Sequence, residues 1–158
     1  MADLNGVKLA LGPIALPDYI TSRPQIVVAD GANKLKLMEN ARWAEPLDIN
    51  VSLVLADNLA YLLKLKDIIP YPWRASTTYD LRLEMTVFTL SADHDKAYLR
   101  ALYRITNVKA AATFEDEINL TEPLTDFSAA EIVAAQNRLL DQASVVMATG
   151  IAHMTNKR

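Results

Sequence analysis

Three stretches in the second half of the chain alternate apolar and polar residues with the period of a β-strand. From Tyr79 to Leu90, the residues Tyr79, Leu81, Leu83, Met85 and Val87 fall on one face, and Asp80, Arg82, Glu84 and Thr86 on the other. Lys96 to Thr106 sets Ala97, Leu99, Ala101, Tyr103 and Ile105 against Tyr98, Arg100 and Arg104. Ala110 to Leu120 keeps Ala112, Phe114, Ile118 and Leu120 in phase. Turn residues separate the stretches, Ser91-Ala92-Asp93-His94-Asp95 first and a second turn near Asn107, so the pattern predicts an antiparallel meander. Its outer face carries acids on the flanking strands opposite Arg100 and Arg104, a cross-strand charge pattern.

The first third is punctuated differently. Val7, Leu9 and Leu11 alternate with Lys8 and Ala10 in a strand that Gly12-Pro13 is expected to end. Pro17 and Arg23-Pro24 mark an ordered connection, because proline fixes its own φ and extends its predecessor. Gln25 to Ala29 and Lys34 to Met38, joined by Asp30-Gly31-Ala32-Asn33, predict a hairpin that leads to Trp43.

The period then changes to that of a helix. Pro46 suits a first helical turn, and nothing from Leu47 to Leu63 interrupts it. Leu47, Val51, Val54, Leu55, Tyr61 and Leu62 fall on one face, with Ile49, Leu53, Ala56, Ala60 and Leu63 nearly opposite. A helix apolar on both sides needs cover on both, from a sheet and from a second layer or a partner. Ile68-Ile69 forms a short extended piece ended by Pro70. After Glu122-Pro123 breaks the last strand, Ser128-Ala-Ala-Glu131 is a capping box. The helix it opens carries a stripe of Ile132, Val133, Leu139, Leu140, Ala143, Val146, Met147 and Ile151, with Arg138, Asp141, Gln142 and Thr149 opposite. The order βββαβββα describes one α/β domain over residues 1–158, a mixed, largely antiparallel sheet packed with two long helices.

Composition narrows the function. A net charge of -3 and 51% hydrophobic residues indicate neither a nucleic-acid-binding surface nor a disordered tail. Without Cys there is no disulfide framework or thiolate metal site. The two His give little to catalysis: His94 lies between Asp93 and Asp95 in an expected hairpin tip, where turn chemistry is the plainer reading, and His153 lies near a helix end. No Gly-x-Ser-x-Gly elbow, phosphate loop or His-Glu-x-x-His occurs. Asn58 and Gln136 fall within apolar stripes and are expected to be buried amides bonded to backbone. No catalytic residue, metal ligand or cofactor is assigned.

Two aromatic–proline clusters remain, Arg42-Trp43 before Glu45-Pro46, and Tyr71-Pro72-Trp73-Arg74. Large rigid aromatics beside proline give contact area at small entropy cost, as interfaces favour. Trp43, Glu45, Pro46, Tyr71, Pro72 and Trp73 are therefore the candidate partner-binding residues, although Trp43 could instead cap the core, and Trp73 fits a core plug as well as a partner contact.

Leu-Gly-Pro-Ile-Ala-Leu-Pro-Asp-Tyr (11–19), Arg-Pro-Gln-Ile-Val (23–27), Arg-Trp-Ala-Glu-Pro-Leu (42–47) ahead of a helix with Asn58-Leu59, and Tyr71-Pro72 follow one another in an order that resembles the ABC-type transport auxiliary lipoprotein family, whose best-known type is paraquat-inducible protein C. The resemblance runs from about residue 7 to the final helix. It implies a periplasmic, non-enzymatic domain with an anticodon-binding-domain-like arrangement. It also implies a tether to the outer membrane of a Gram-negative cell through a lipidated N-terminal Cys, and work beside an MCE-domain protein in lipid traffic between the membranes. The signal peptide and lipobox Cys of the family are expected ahead of residue 1. A homo-oligomer, a stand-alone periplasmic small-ligand or lipid-binding module, and a hydrolase using His94 are the other expectations to be weighed.

Overall fold

The three alternating stretches become three strands of a five-stranded sheet. In the computed structural model the described residues are 3–17, 25–29, 35–42 and 47–155, with side chains over 3–17 and from residue 50 onward. The elements run β1 (Lys8–Ala15), β2 (Gln25–Ala29), β3 (Leu35–Arg42), α1 (Leu47–Leu63), β4 (Asp67–Pro70), β5 (Leu81–Ala92), β6 (Lys96–Asn107), β7 (Ala112–Pro123) and α2 (Ala129–Thr155). The sheet order is β4-β1-β5-β6-β7, parallel between β4, β1 and β5 and antiparallel from β5 to β7. β2 and β3 form a separate antiparallel ribbon, as the hairpin pattern predicts. The result is a single α/β domain with a mixed, open sheet and two helices. Its extra strand, β4, is the short Ile68-Ile69 piece.

The apolar face of the sheet carries Leu9 and Leu11, then Leu81, Leu83, Met85 and Val87, then Leu99, Ala101, Tyr103 and Ile105, all buried. The helices cover it. From α1 the row Val51, Leu55, Leu59 and Leu63, spaced four apart, is fully buried. From α2 come Ile132, Leu139, Leu140, Ala143, Met147 and Ile151. Burying one such Leu is worth about 2 kcal/mol.

The wet side of the sheet follows the expected charge pattern in part. Arg104 stands across from Glu84 on β5 and Glu115 on β7 and pairs with both, and Arg82 Nε lies 2.8 Å from Glu84 Oε1 as an ion pair. Arg100 has no acid opposite. Its neighbours are Thr89 and Asn119, and its guanidinium lies 5.6 Å from the Phe88 ring centroid instead. The shift of register between Val87 and Thr89 gives β5 one extra residue there, Phe88.

Further expectations are corrected or refined. Gly12-Pro13 does not end β1: the strand passes through it to Ala15, with a register shift between Leu11 and Ile14 that absorbs the proline. Glu122-Pro123 does close β7, which ends at Pro123, three residues past the expected Leu120. Tyr61 and Val146, placed by periodicity on buried faces, are exposed, Tyr61 at 85%. The covered stripe of each helix is narrower than its apolar sector: the sheet and the other helix together leave Leu53, Tyr61, Val145 and Val146 exposed. The amides make unexpected contacts too: Asn58 bonds across the helix pair to Asp141 Oδ1 (2.9 Å) and Ser144 Oγ (3.1 Å), while the buried Gln136 leaves its Oε1 without a partner among the described residues.

Helix ends are set locally. Lys64 adopts φ 56° just past α1, and the Leu65 N–H bonds the Ala60 carbonyl at 3.1 Å, the six-to-one bond of a Schellman motif, with Leu65 buried beneath it. Leu4 N–H takes the Leu63 carbonyl. At α2, Ser128 Oγ accepts from the Glu131 N–H (3.2 Å), which makes one half of the capping box. The Glu131 carboxylate completes no box. It turns to the Thr125 N–H (2.7 Å) and hydroxyl (2.5 Å), which hold its pKa below the usual carboxylate range. Asn107, buried at the other end of the sheet, donates to the Met154 carbonyl (2.8 Å) and accepts from the Ala110 N–H (3.0 Å), joining the β6–β7 turn to the end of α2.

The two rims of the sheet differ in backbone chemistry. Tyr71 N–H donates to the Leu11 carbonyl (3.1 Å), so in the parallel register Ile69 and Tyr71 turn their backbone toward β1 while Ile68 and Pro70 turn theirs outward. On the far side, Leu124 N–H bonds the Asp95 carbonyl and Val108 N–H the Asp80 carbonyl, which fixes the phase of β6. The residues of β7 paired with Asn107, Ile105, Tyr103 and Ala101 turn inward, and Thr113, Glu115, Glu117, Asn119, Thr121 and Pro123 turn outward. Pro70 and Pro123 thus sit where a missing N–H breaks no ladder bond.

Candidate partner-binding site

Of the six residues proposed for partner contact, Tyr71, Pro72 and Trp73 are described, while Trp43, Glu45 and Pro46 lie outside the described residues. The local sequence explains the shape at Tyr71. Pro70 ends β4, and a cis peptide joins Tyr71 to Pro72. The Thr77 N–H returns to the Arg74 carbonyl (2.9 Å) and closes the loop that leads to β5. Tyr71 and Trp73 meet edge to face at 5.2 Å between ring centroids, and Trp73 meets Tyr79 at 5.5 Å. Trp73 is half-buried between the two tyrosines. Tyr71, at 55% exposure, is the outermost ring.

The support beneath Tyr71 is Gly12. Its φ is +121°, and a Cβ added there would stand 2.5 Å from Tyr71 Cβ. Only glycine combines that backbone with so close an approach. The β1 bulge, rather than ending a strand, therefore presents the aromatic cluster.

Behind Tyr71 a groove of about 580 Å³ runs between α1 and the strands β1 and β4, lined mainly by Leu11, Ile14, Leu53, Ala56, Ile68 and Tyr71. Leu53 is 50% exposed, so the second apolar side of α1 is uncovered here among the described residues. Among the described residues the lining is mainly apolar, with Ser52 and the Tyr71 phenol as its polar side chains. This place suits an apolar contact better than chemistry. Periodicity pointed to it through the two-faced helix, but only the fold brings Leu53 beside Tyr71.

Several ionisable groups are engaged elsewhere. Asp93 accepts from the N–H groups of Asp95 (2.7 Å) and Lys96 (2.8 Å) and from the Tyr98 hydroxyl (2.6 Å). Burial pushes its carboxyl up, but these bonds, with His94 nearby, outweigh that and leave its pKa lowered, while Tyr98 is raised by donating to it. His94 is stacked on Phe127 at 4.1 Å, which ties the β5–β6 turn to the approach of α2. Asp93 and its neighbours are turn chemistry. Arg138 bridges Glu122 (2.7 Å) and Glu131 (3.4 Å) along the β7–α2 junction. Burial raises the pKa of Tyr103, and Asp116 across from it adds to the effect.

The model of a family described as the ABC-type transport auxiliary lipoprotein component matches residues 2–148. This chain belongs to that family. Its members are auxiliary components of a transport system, and their description as lipoproteins suggests the cell envelope as their place. Among solved structures, an uncharacterized protein is 18% identical with a TM-score of 0.79, over 91% of this chain and 92% of its own. Protein XCC0632 from Xanthomonas campestris, of the family DUF330, which is the same family, is 15% identical with a TM-score of 0.77, over 90% and 81%. The PelC dodecamer from Paraburkholderia phytofirmans is 13% identical with a TM-score of 0.54, over 85% and 83%. At these identities the likeness is one of fold. No curated protein matches the chain. No helix among the described residues is long and apolar enough to cross a membrane.

Proposed function

We propose that the chain is a non-catalytic accessory component of an intermembrane lipid-transport system, docking on an MCE-domain partner at the outer membrane. The observation that carries this reading is the pairing of exposed Tyr71 with exposed Leu53 across an apolar groove, with Tyr71 packed closely on Gly12. Trp73 buttresses Tyr71, and Trp43, Glu45 and Pro46 are proposed as further partner contacts. Membership of an auxiliary transport family supports the role, and a lipid on the full-length protein would hold the complex at the membrane. The structural neighbour described as a dodecamer supports self-association as part of the arrangement.

The test is co-purification of the full-length protein with an MCE-domain partner. Tyr71→Ala and Leu53→Ser should lose the partner, and Lys109→Ala, at the other end of the sheet, should keep it. Retention by all three variants overturns the site. The apolar groove favours a second reading, a periplasmic module that itself binds lipid. Phospholipid in the mass spectrum of the purified protein, displaced by Leu53→Trp, would favour that reading over docking.

A further inference from the structure

The opposite rim of the sheet carries a different set of groups. β7 has β6 on one side and, among the described residues, no strand on the other. Over its length Thr113, Glu115, Glu117, Asn119 and Thr121 turn N–H and C=O groups outward. The central donor is covered by its neighbour, Glu117 N–H bonding Asp116 Oδ1 at 2.8 Å. On the helix side of this rim an apolar groove of about 510 Å³ lies between α2 and the edge strand, walled by Phe114, Val145, Val146 and Thr149, with both valines exposed. On the other side stand the exposed carboxylates of Glu115, shared with Arg104, and Glu117.

We propose that the free rim of β7 is a strand-addition site for an extended segment of a partner protein in which apolar and basic residues alternate. A strand laid along the rim sends successive side chains to opposite faces, so one set enters the groove over Phe114, Val145 and Val146 and the other meets Glu115 and Glu117. The first set must be apolar and the second cationic. The central Glu117 N–H stays with the Asp116 carboxylate, and the outward groups of Thr113, Glu115, Asn119 and Thr121 carry the ladder. An acyl chain would fill the groove but leave the outward amides unmatched. A second copy paired through β7 is disfavoured by charge: antiparallel pairing centred on Glu117 sets it against itself, and parallel in-register pairing stacks Glu115 and Glu117 on their counterparts. This rim is across the sheet from Tyr71, so the inference does not depend on the docking reading above.

The probe is a peptide about nine residues long that alternates valine and lysine, with a valine–glutamate peptide as control, titrated into the isotope-labelled chain and followed by amide shifts. The expected result is perturbation and slowed hydrogen exchange at Thr113, Glu115, Asn119 and Thr121, weakened by salt, with a preference for the lysine peptide of about tenfold or more. Asn119→Pro removes an outward donor and no ladder bond. It should therefore keep the native circular dichroism and bind about tenfold more weakly. The double variant Glu115→Lys, Glu117→Lys should reverse the preference between the peptides, and it decides the matter if the proline variant does not fold. Absence of binding at millimolar peptide, equal binding of both peptides, or shifts confined to β4 overturns the proposal. Self-association that Asn119→Pro abolishes without peptide also overturns it, since the occupant would then be another copy.

Discussion

Replacing Gly12 by alanine tests the physical basis of the docking surface. The residue sits at φ +121°, outside the small left-handed well, which for a side-chain-bearing residue costs about 1–3 kcal/mol. Its Cβ would lie 2.5 Å from Tyr71 Cβ, where unbonded carbons settle at about 3.5–4.0 Å, so the two segments must part by about 1 Å. That movement strains or breaks the bond from Tyr71 N–H to the Leu11 carbonyl, worth about 1 kcal/mol. Together the loss comes to about 2–4 kcal/mol, a large share of the roughly 5–15 kcal/mol typical of a domain. With a urea slope of about 2 kcal/mol/M, the unfolding midpoint should fall by about 1–2 M. Gly6 supplies the control: φ +99° but nothing within 4 Å of its built Cβ, so Gly6→Ala carries the backbone strain alone. The measurement is urea unfolding followed by circular dichroism for wild type and both variants. If Gly12→Ala is no less stable than Gly6→Ala, the close approach to Tyr71 does not matter and the reasoning fails.

Gln136→Met should stabilise the fold by about 1–2 kcal/mol, because it removes a buried carbonyl oxygen that has no partner and keeps the volume; a lower melting temperature would contradict this. Lys64→Gly should gain about 0.5–1 kcal/mol by placing glycine at the left-handed residue that closes α1, a rise of about 2–4 °C in Tm. In a double-mutant cycle, Asn58→Ala and Ser144→Ala should each destabilise and should couple by about 0.5–1 kcal/mol, and strict additivity would deny the bond between the helices. The lowered pKa of Asp93 means that the unfolded chain takes up its proton first. Its contribution is thus full above the ordinary value of 3.8 and fades as pH falls through the depressed one. Exposure and solvent screening keep this below about 1 kcal/mol, and Asp93→Asn should flatten the acid limb of a stability-versus-pH curve by that amount.

The meander was legible because β5, β6 and β7 each bury one face, so the period of two is printed in their residues. The parallel half was harder. β1 carries its signal only as far as Leu11, and a Gly-Pro pair reads as a stop until a bulge is seen to absorb it. β4 is only four residues, too short for a period. In α1 the apolar residues encircle the helix, and which of them are covered depends on where α2 crosses. Val51 and Leu59 could not be told from Leu53 and Tyr61 without it. Of the candidate site, the aromatic–proline composition at Tyr71 and Trp73 was visible, but the partnership of Tyr71 with Gly12 and Leu53 joins segments far apart in the chain. Gln136 was misjudged for a general reason: its place in the apolar stripe predicts burial and says nothing about whether an acceptor finds a donor. The acids of β7 were legible as a charge pattern, whereas the groove beside Phe114 depends on how α2 turns Val145 and Val146 toward the rim.

The two prolines at the borders of the sheet give the molecule a direction. Beside α1 the border offers a single outward donor, at Ile68, before Pro70 ends it, while the other border offers a row of them up to Pro123. Growth of the sheet by accretion therefore has one inviting side and one blunt side. A guest that lies down on the inviting side is halted at Thr121, and an unlimited stack of copies is denied the second face it would need.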